Sequence, residues 1–330
     1  MTRLSDRRHF LRLAGSAAAM SGMPRLARAQ AFPARPIILV VPYPPGGSAD
    51  TAARILAEPV SAYLGQSLII ENAPGGSTRI GTTKLVRAAP DGYTLGIGDW
   101  NSHVASGVIF SLPYDVQTDF VPVALDQIFC SILVVNKDLP ANNLQEFIAW
   151  LKANPDKASA GSSGIGSLGH LAGILFQNLT GTHFQHVPYR GNVPAMQDLL
   201  GGQIQLIFGD PSVVAQARAG RVKALVVTAS HRVSAIPDVP TAQEAGLPVL
   251  TFSNWNAIVA PKNTPMRIVT QLNDAVIRAL NDSEVRRKIN ELGSEIPSPE
   301  QQKPEAIAAL QRAEIEKWWP IIRTSNVKPE

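Results

Sequence analysis

The sequence predicts an α/β protein with two lobes, each formed around a mainly parallel sheet. Short apolar strands alternate with amphipathic helices, which is the order found in βαβ units. Two sets of these elements can be distinguished, one beginning at Ile37 and one near Ser131. The chain has 330 residues, of which about 300 would remain after removal of an N-terminal signal segment, and this exceeds one typical hydrophobic core. No low-complexity linker separates the two sets. We therefore expect two lobes joined by crossing strands, with the C-terminal helices returning to the first lobe.

The first set begins with the buried strand Ile37–Val41. Apolar residues at helical spacing then predict a helix as far as Leu64, which Pro59 should kink or shorten. The remaining elements of this set are a strand at 67–71, a helix near 79–88 and a strand at 93–98. This order predicts ligand binding at the carboxyl ends of parallel strands.

The second set supplies the other sheet and the return to the first lobe. Its predicted strands lie at 131–136, 184–187, 203–208 and 223–229, and its helices at 144–153, 168–179 and 193–200. A strand at 255–260 and helices near 266–281, 283–292 and 304–322 complete the chain. The first lobe should therefore combine residues 30–124 with residues 254–330, and the second should span residues 125–253.

The turn after the first strand is the most informative segment. It reads Pro-Tyr-Pro-Pro-Gly-Gly-Ser-Ala-Asp over residues 42–50. Gly46 and Gly47 have no Cβ, so the backbone can pass close to a ligand. Ser48 or Asp50 can cap the following helix, whose free N–H groups suit an anion. Because the turn has neither the Gly-Lys-Ser/Thr ending of a phosphate loop nor a nucleophile–base pair, it favours binding a small anion over converting one.

The N-terminal residues predict export. Arg7 and Arg8 precede an apolar run that ends at Met20, and Ala27 and Ala29 give the small-residue pattern of a cleavage site. We expect a twin-arginine-type signal peptide over residues 1–29, removed after Ala29. No cysteine lies near the cleavage point, so a lipid anchor is not indicated.

Removal of that segment changes the charge. Residues 1–29 contain six arginines and one aspartate, whereas the rest of the chain contains 24 basic and 25 acidic residues. A nearly neutral mature chain argues against a nucleic-acid partner, which usually requires a concentrated basic surface. Cys130 is the only cysteine, so no internal disulfide can form, and its apolar neighbours predict a small core residue.

Several motifs resemble those of enzymes. Residues 164–169 match G-x-G-x-x-G, but no acidic residue follows about 20 positions on, and Ile165 replaces the first glycine of a nucleophile elbow. His183 and His186 should point to opposite faces of a strand, so they cannot hold one metal ion together. His170 is explained about equally well by a structural hydrogen bond and by a place in the cleft. We expect no catalytic residue, no cofactor and no metal.

A series of segments, in the same order along the chain, is similar to segments of one protein family. The segments are 40–50, 71–76, 80–82, 89–95, 112–115 and 119–123, followed by 187–203, 237–241, 244–248, Pro261 and 264–265. They are distributed over essentially the whole mature chain. In them the sequence resembles the solute receptors of tripartite tricarboxylate transporters, the TctC or Bug family of periplasmic binding proteins.

The resemblance implies a two-lobed periplasmic binding protein of the Venus flytrap type II, located in the periplasm. Its partners would be a small organic carboxylate and the membrane subunits of a transporter, and we expect a monomer. The ligand-binding residues that it implies are Tyr43, Gly46, Gly47, Ser48 and Asp50 in the first lobe, and Ser163, Gly166, Ser167 and His170 in the second, with Tyr189 and Asp210 near the rim. Two segments depart from the family pattern, Thr78-Arg79 and the residues 98–102.

Alternatives to a transport receptor stay open at this point. A sensory receptor that presents its ligand-bound form to a signalling protein would have the same sequence features. An enzyme using the same cleft would need a nucleophile–base pair or a cofactor motif, and neither is found. We expect binding by hinge closure, with two opposed helix N-termini holding the carboxylate. The sequence does not identify the carboxylate, and Arg79 is either a solvated helix residue or a second anchor for an acidic group.

Overall fold

In a computed structural model of the protein, residues 32–325 and residue 327 are described. All the described strands and helices lie within residues 35–330. The predicted signal peptide and its cleavage site lie outside the described residues. Within the described part, no helix is both long and apolar enough to cross a membrane.

The first sheet has five strands. They are β1 (Ile37–Val41), β2 (Leu68–Asn72), β3 (Thr94–Asp99), β4 (Phe120–Cys130) and β10 (Ser253–Pro261), in the spatial order β2-β1-β3-β10-β4. β10 is antiparallel to both neighbours, so the other four strands run in one direction. The associated helices are α1 (Ser48–Leu64), α2 (Arg79–Val86), α3 (Ser106–Ile109), α8 (Met266–Leu280), α9 (Ser283–Glu291) and α10 (Pro304–Thr324).

The second sheet repeats this pattern. Its strands are β5 (Ile132–Asn136), β6 (Ser159–Ser162), β7 (Gln185–Pro188), β8 (Leu206–Gly209) and β9 (Val222–Val227), in the order β7-β6-β8-β5-β9. Here β5 is the strand that runs against the other four. The helices are α4 (Leu144–Ala153), α5 (Leu168–Thr180), α6 (Asn192–Leu200) and α7 (Val214–Arg218). Two mainly parallel sheets flanked by helices confirm the predicted fold class.

The chain passes between the two sheets at two adjacent segments. One leads from β4 through Ser131 into β5, and the other leads through Phe252 into β10. Thr228 joins them, because its N–H donates to the Ser131 carbonyl at 2.9 Å and its hydroxyl donates to the Phe252 carbonyl at 2.9 Å. The Thr228 side chain is fully buried. The two crossings are thus held side by side by one residue.

The sequence predicts that Pro59 kinks or shortens α1, but the structure shows no shortening. The helix continues to Leu64 because Ala52, Leu56 and Val60 bury one of its faces on both sides of the proline. This face packs against α8. Tertiary packing therefore offsets the backbone hydrogen bond that a proline removes.

The strand β4 was not predicted from periodicity. Pro122, Asp126 and Gln127 interrupt its apolar pattern, and each normally argues against a buried strand. β4 lies at the edge of the first sheet, where a proline is tolerated because one row of backbone groups has no partner strand. The edge position in the sheet therefore explains why residues 120–130 form a strand although their sequence pattern argues against one.

Candidate ligand-binding cleft

A cleft of about 560 Å³ lies where elements of the two sheets meet. On one side it is lined by the turn after β1, the start of α1, the end of β3 and the start of β10. On the other side it is lined by the turns after β6 and β8 and by the starts of α5 and α6. Of the predicted ligand-binding residues, five line it, namely Tyr43, Gly47, Ser48, Ser163 and Asp210.

The start of α1 provides hydrogen-bond donors to this cleft. Gly47 precedes the helix, and no side chain caps it. The backbone N–H groups of Ser48 and Ala49 belong to the first turn, so they have no acceptor within the helix. The Ser48 side chain is 3 % exposed, and its hydroxyl has no hydrogen-bond partner among the described residues. The arrangement suits a negatively charged group.

Asp50 does not line the cleft, and neither it nor Ser48 caps α1 as the sequence suggested. Its carboxylate instead accepts hydrogen bonds from the Gly46 N–H at 2.9 Å, from Arg54 Nε at 3.0 Å and from Asn72 Nδ2 at 2.8 Å. Burial alone would raise the pKa of Asp50, but these bonds lower it below its ordinary value. Asp50 therefore fixes the turn that contains Gly46 and Gly47.

A network of polar side chains lies at the end of β3. Asp99 accepts hydrogen bonds from the Tyr43 hydroxyl, from the Ser102 N–H at 2.8 Å and from the Ser102 hydroxyl at 2.6 Å. Asn101 Nδ2 donates to the Tyr43 oxygen at 2.7 Å. Burial raises the pKa of Asp99, and burial together with the charge of Asp99 raises the pKa of Tyr43. These bonds fix the orientation of Tyr43 in the wall of the cleft.

The start of α5 is engaged differently from what the sequence predicts. The first N–H of this helix, that of Leu168, donates to Asn101 Oδ1 at 2.9 Å, and the Ser167 hydroxyl accepts from the His170 N–H. Gly166 and Ser167 line a smaller neighbouring cavity of about 220 Å³. The second helix N-terminus is thus occupied in part by Asn101.

His170 and Tyr189 also lie outside the lining of the cleft. The His170 ring stacks on His186 at a centroid distance of 3.6 Å, and its Nδ1 accepts the Gly166 N–H at 3.0 Å. Burial lowers the pKa of His170 to about 4 and that of His186 to about 3. The Tyr189 hydroxyl donates to Asp198 at 2.6 Å. His170 and Tyr189 therefore stabilise the wall of the cleft through contacts outside its lining.

Elements of the two walls approach closely around the cleft. Gly191 has φ +138°, and a Cβ added there would lie 2.6 Å from Pro44 Cδ. Gly166 has φ +71°, and a Cβ there would lie 2.1 Å from Ile109 Cδ1. Glycine is required at both positions for conformational and for steric reasons.

Arg79 does not line the cleft. Its Nε donates to the Gly76 carbonyl at 2.7 Å, and its guanidinium lies 4.1 Å from the centre of the Phe110 ring. Among the described residues that line the cleft there is no lysine, arginine or histidine.

A family model described as "Tripartite tricarboxylate transporter family receptor" matches residues 52–327. The chain belongs to this receptor family. It is 35 % identical over 322 residues to protein BugT of Bordetella pertussis, covering 97 % of this chain and 96 % of BugT. It is 38 % identical to MatC of Rhodopseudomonas palustris, solved with bound malate, with a TM-score of 0.84 over 88 % of this chain and all of MatC. A second R. palustris protein, solved with adipate, is 32 % identical, with a TM-score of 0.86 over 91 % of this chain and all of the other.

One contact in the receptor resembles part of a catalytic site. The Ser102 hydroxyl lies 2.8 Å from His103 Nδ1. However, Ser102 is fully buried, and His103 Nε2 has no partner within the described part of the chain. Burial also lowers the pKa of His103 to about 4. Because no substrate can reach the hydroxyl, we interpret the pair as structural. Among residues 32–325, no group of three potential metal-binding side chains occurs.

The sequence analysis did not identify the four asparagines that line the receptor's cleft, Asn101, Asn192, Asn254 and Asn256. Asn254 and Asn256 alternate with apolar residues at the start of β10 and line the cleft. They are 7 % and 1 % exposed, and Asn256 Nδ2 has no hydrogen-bond partner in the described residues. Two polar residues at a spacing of two share one face of a strand, and this signal could have identified them.

Proposed function

We propose that this receptor binds a small organic carboxylate in the cleft and delivers it to the membrane subunits of a tripartite tricarboxylate transporter. One observation carries the proposal. The buried Ser48 hydroxyl has no partner in the described residues, and the first N–H groups of α1 have no acceptor within the helix. Both lie at the cleft, and such groups match an anionic oxygen. Family members solved with malate and with adipate support a carboxylate as the ligand class.

The carboxylate binds at the start of α1 in this proposal. It accepts hydrogen bonds from the Ser48 and Ala49 N–H groups, from the Ser48 hydroxyl and from the Asn256 amide. Several charge-assisted bonds of about 1.5–3 kcal/mol each are sufficient for micromolar affinity without an arginine. Tyr43, Gly47 and Ser163 shape the walls, whereas the predicted residues outside the lining act by positioning.

Ligand binding is coupled to hinge closure in the same proposal. The lobes comprise residues 30–124 with 254–330, and residues 125–253. The adjacent crossings around Ser131 and Phe252, joined by Thr228, support a hinge at this point. Closure is driven only by contacts that the ligand makes better in the closed state, and donors and acceptors on opposite walls meet this condition.

Periplasmic export is part of the proposal. A signal peptide over residues 1–29 is cleaved after Ala29, so the mature protein begins at Gln30. N-terminal sequencing of the exported protein tests this. A mature chain that begins before Gly22 or after Ile37 would refute the assignment.

The function is tested by calorimetric titration of the mature protein. The panel contains monoacids, diacids, hydroxy acids and amino acids, together with a neutral sugar and a cationic amine. At least one carboxylate is expected to bind with micromolar or higher affinity. Tight binding of the sugar or of the amine, with every carboxylate ignored, would contradict the proposal.

A pair of glycine variants locates the site. Gly47→Val should abolish binding, because its methyl groups would project from a buried position in the wall of the cleft. Gly201→Val is the matched control, because Gly201 is exposed at the end of α6 and has a φ of −78°, close to the −75° of Gly47. The control should bind with unchanged affinity. Equal loss in both variants would show that the valine acts on the fold and not on the site.

A further inference from the structure

The charged side chains that line the cleft are acidic. Asp99 and Asp210 both line it, whereas no cationic side chain of the described residues does. Arg54 forms an ion pair with Asp50 outside the lining, and Arg190 is exposed and also outside it. A ligand with two negative charges would therefore find no cationic side chain in the lining for either carboxylate, while two acidic side chains line the same cleft.

Donors for one carboxylate are collected on one wall. Ser48 and Asn256, at the starts of α1 and β10, are both more than nine-tenths buried. The Ser48 hydroxyl and Asn256 Nδ2 have no hydrogen-bond partner in the part of the chain that is described. Of the buried side-chain atoms without a partner in the described residues, only these two belong to residues that line the cleft, so they indicate where a ligand accepts hydrogen bonds.

An open acceptor lies on the opposite wall. Asp210 follows β8 and precedes a short helical turn, and its Oδ1 accepts the Ser212 N–H at 2.9 Å and the Ser212 hydroxyl. Asp210 Oδ2 has no such bond among the contacts of the described residues. Asp99 differs, because Tyr43, Asn101 and Ser102 donate to its two oxygens. Asp210 is thus the carboxylate that is free to receive a donor from the ligand.

We propose that the ligand of this receptor is a zwitterion, in which a carboxylate binds at Ser48 and Asn256 and an ammonium group binds at Asp210. The inference rests on the proposed function and names its substrate class. A compact ammonium has three donors and no acceptor, which matches a half-buried carboxylate. A second carboxylate at the same place would be repelled, so the pair of aspartates also selects against diacids.

Matched ligands test the proposal with the wild-type protein. Each titration series uses ligands of one carbon-chain length, from three to six carbons. It compares the diacid, the monoacid and the amino acids that carry the amine at each position from α to ω. At the best length, an amino acid is expected to bind at least about tenfold more tightly than the monoacid and the diacid, as one charge-assisted bond predicts.

Asp210→Asn tests the assigned residue. Asparagine caps a helical turn as well as aspartate does, so the bond to Ser212 is retained. The variant should lose the preference for the amino acid over the monoacid by about tenfold or more. Asp138→Asn is the control, because this exposed aspartate is paired with Lys137. The control should keep the wild-type ranking.

The outcomes separate this inference from the function on which it rests. A diacid that binds more tightly than every amino acid overturns the zwitterion and leaves a carboxylate receptor. Failure of all carboxylates to bind overturns both. An amino acid preference that survives in Asp210→Asn shows that another group receives the ammonium, which also overturns the assignment. The wild-type ranking is decisive by itself if the variant does not fold.

Discussion

Replacing Ser48 with alanine should raise the stability of the receptor and lower its affinity for the ligand. The Ser48 hydroxyl is buried and has no partner in the described residues, and a buried unsatisfied polar group costs about 1–3 kcal/mol. Alanine removes this cost and leaves only a small void. For a gain of about 1 kcal/mol, we expect the Tm of the unliganded protein to rise by about 2 °C.

The loss of affinity follows from the same atom. A hydrogen bond to a charged group contributes about 1.5–3 kcal/mol, so Ser48→Ala should bind the ligand about 10- to 150-fold more weakly. Calorimetric titration measures this loss, and differential scanning calorimetry without ligand measures the Tm. The two changes of opposite sign distinguish a ligand contact from a structural hydroxyl.

Ser61 provides a control in the same helix. Its hydroxyl donates to the Ala57 carbonyl at 2.5 Å and accepts the Leu68 N–H at 2.8 Å. Ser61→Ala should therefore lower the Tm and leave the affinity unchanged. The reasoning is refuted if Ser48→Ala behaves in this way, with reduced stability and wild-type affinity.

Three further predictions concern other parts of the receptor. Arg79→Ala should leave the affinity unchanged in titration, since its guanidinium is engaged outside the cleft; a selective loss for diacids would show instead that it reaches the ligand. Gly191→Ala should weaken binding, because its Cβ would meet the Pro44 ring and hold the walls apart. Adding Pro44→Ala should restore part of the affinity, and a lack of recovery would show that closure is not involved. The contribution of His170 and His186 to the free energy of unfolding, measured with denaturant, should fall as the pH is lowered from about 6.5 towards 4. At these two residues the unfolded state binds more protons in this window, because their pKa values are about 4 and 3 in the folded protein. His186→Gln should reduce this slope, and an unchanged slope would contradict the assignment.

Features that depend on a short stretch of chain were predictable from the sequence. The apolar runs of β1 and β5 identify buried strands, and the turn over residues 42–50 identifies a backbone approach to the start of a helix. The helices from Met266 to the C-terminus were located within a few residues. In each case the pattern and the structure involve the same neighbours along the chain, so local propensity and packing agree.

Hydrogen bonds and ring contacts between residues from different elements of the fold could not be predicted in this way. Asp50 is bonded to Asn72, and Leu168 donates to Asn101, 67 positions earlier in the chain. His170 stacks on His186, which a single strand or helix pattern does not indicate. Only the folded chain shows which of the similar polar residues are already satisfied.

The sequence by itself determined the α/β class, the family and the glycine turn that opens α1. The tertiary structure decided that, within the described residues, the Ser48 hydroxyl and Asn256 Nδ2 have no partner, whereas Asp50 and Tyr189 have partners. The physical reason is that a buried polar group is available to a ligand where the fold supplies no other partner for it. This condition depends on every element packed around the group, so no local pattern of residues contains it.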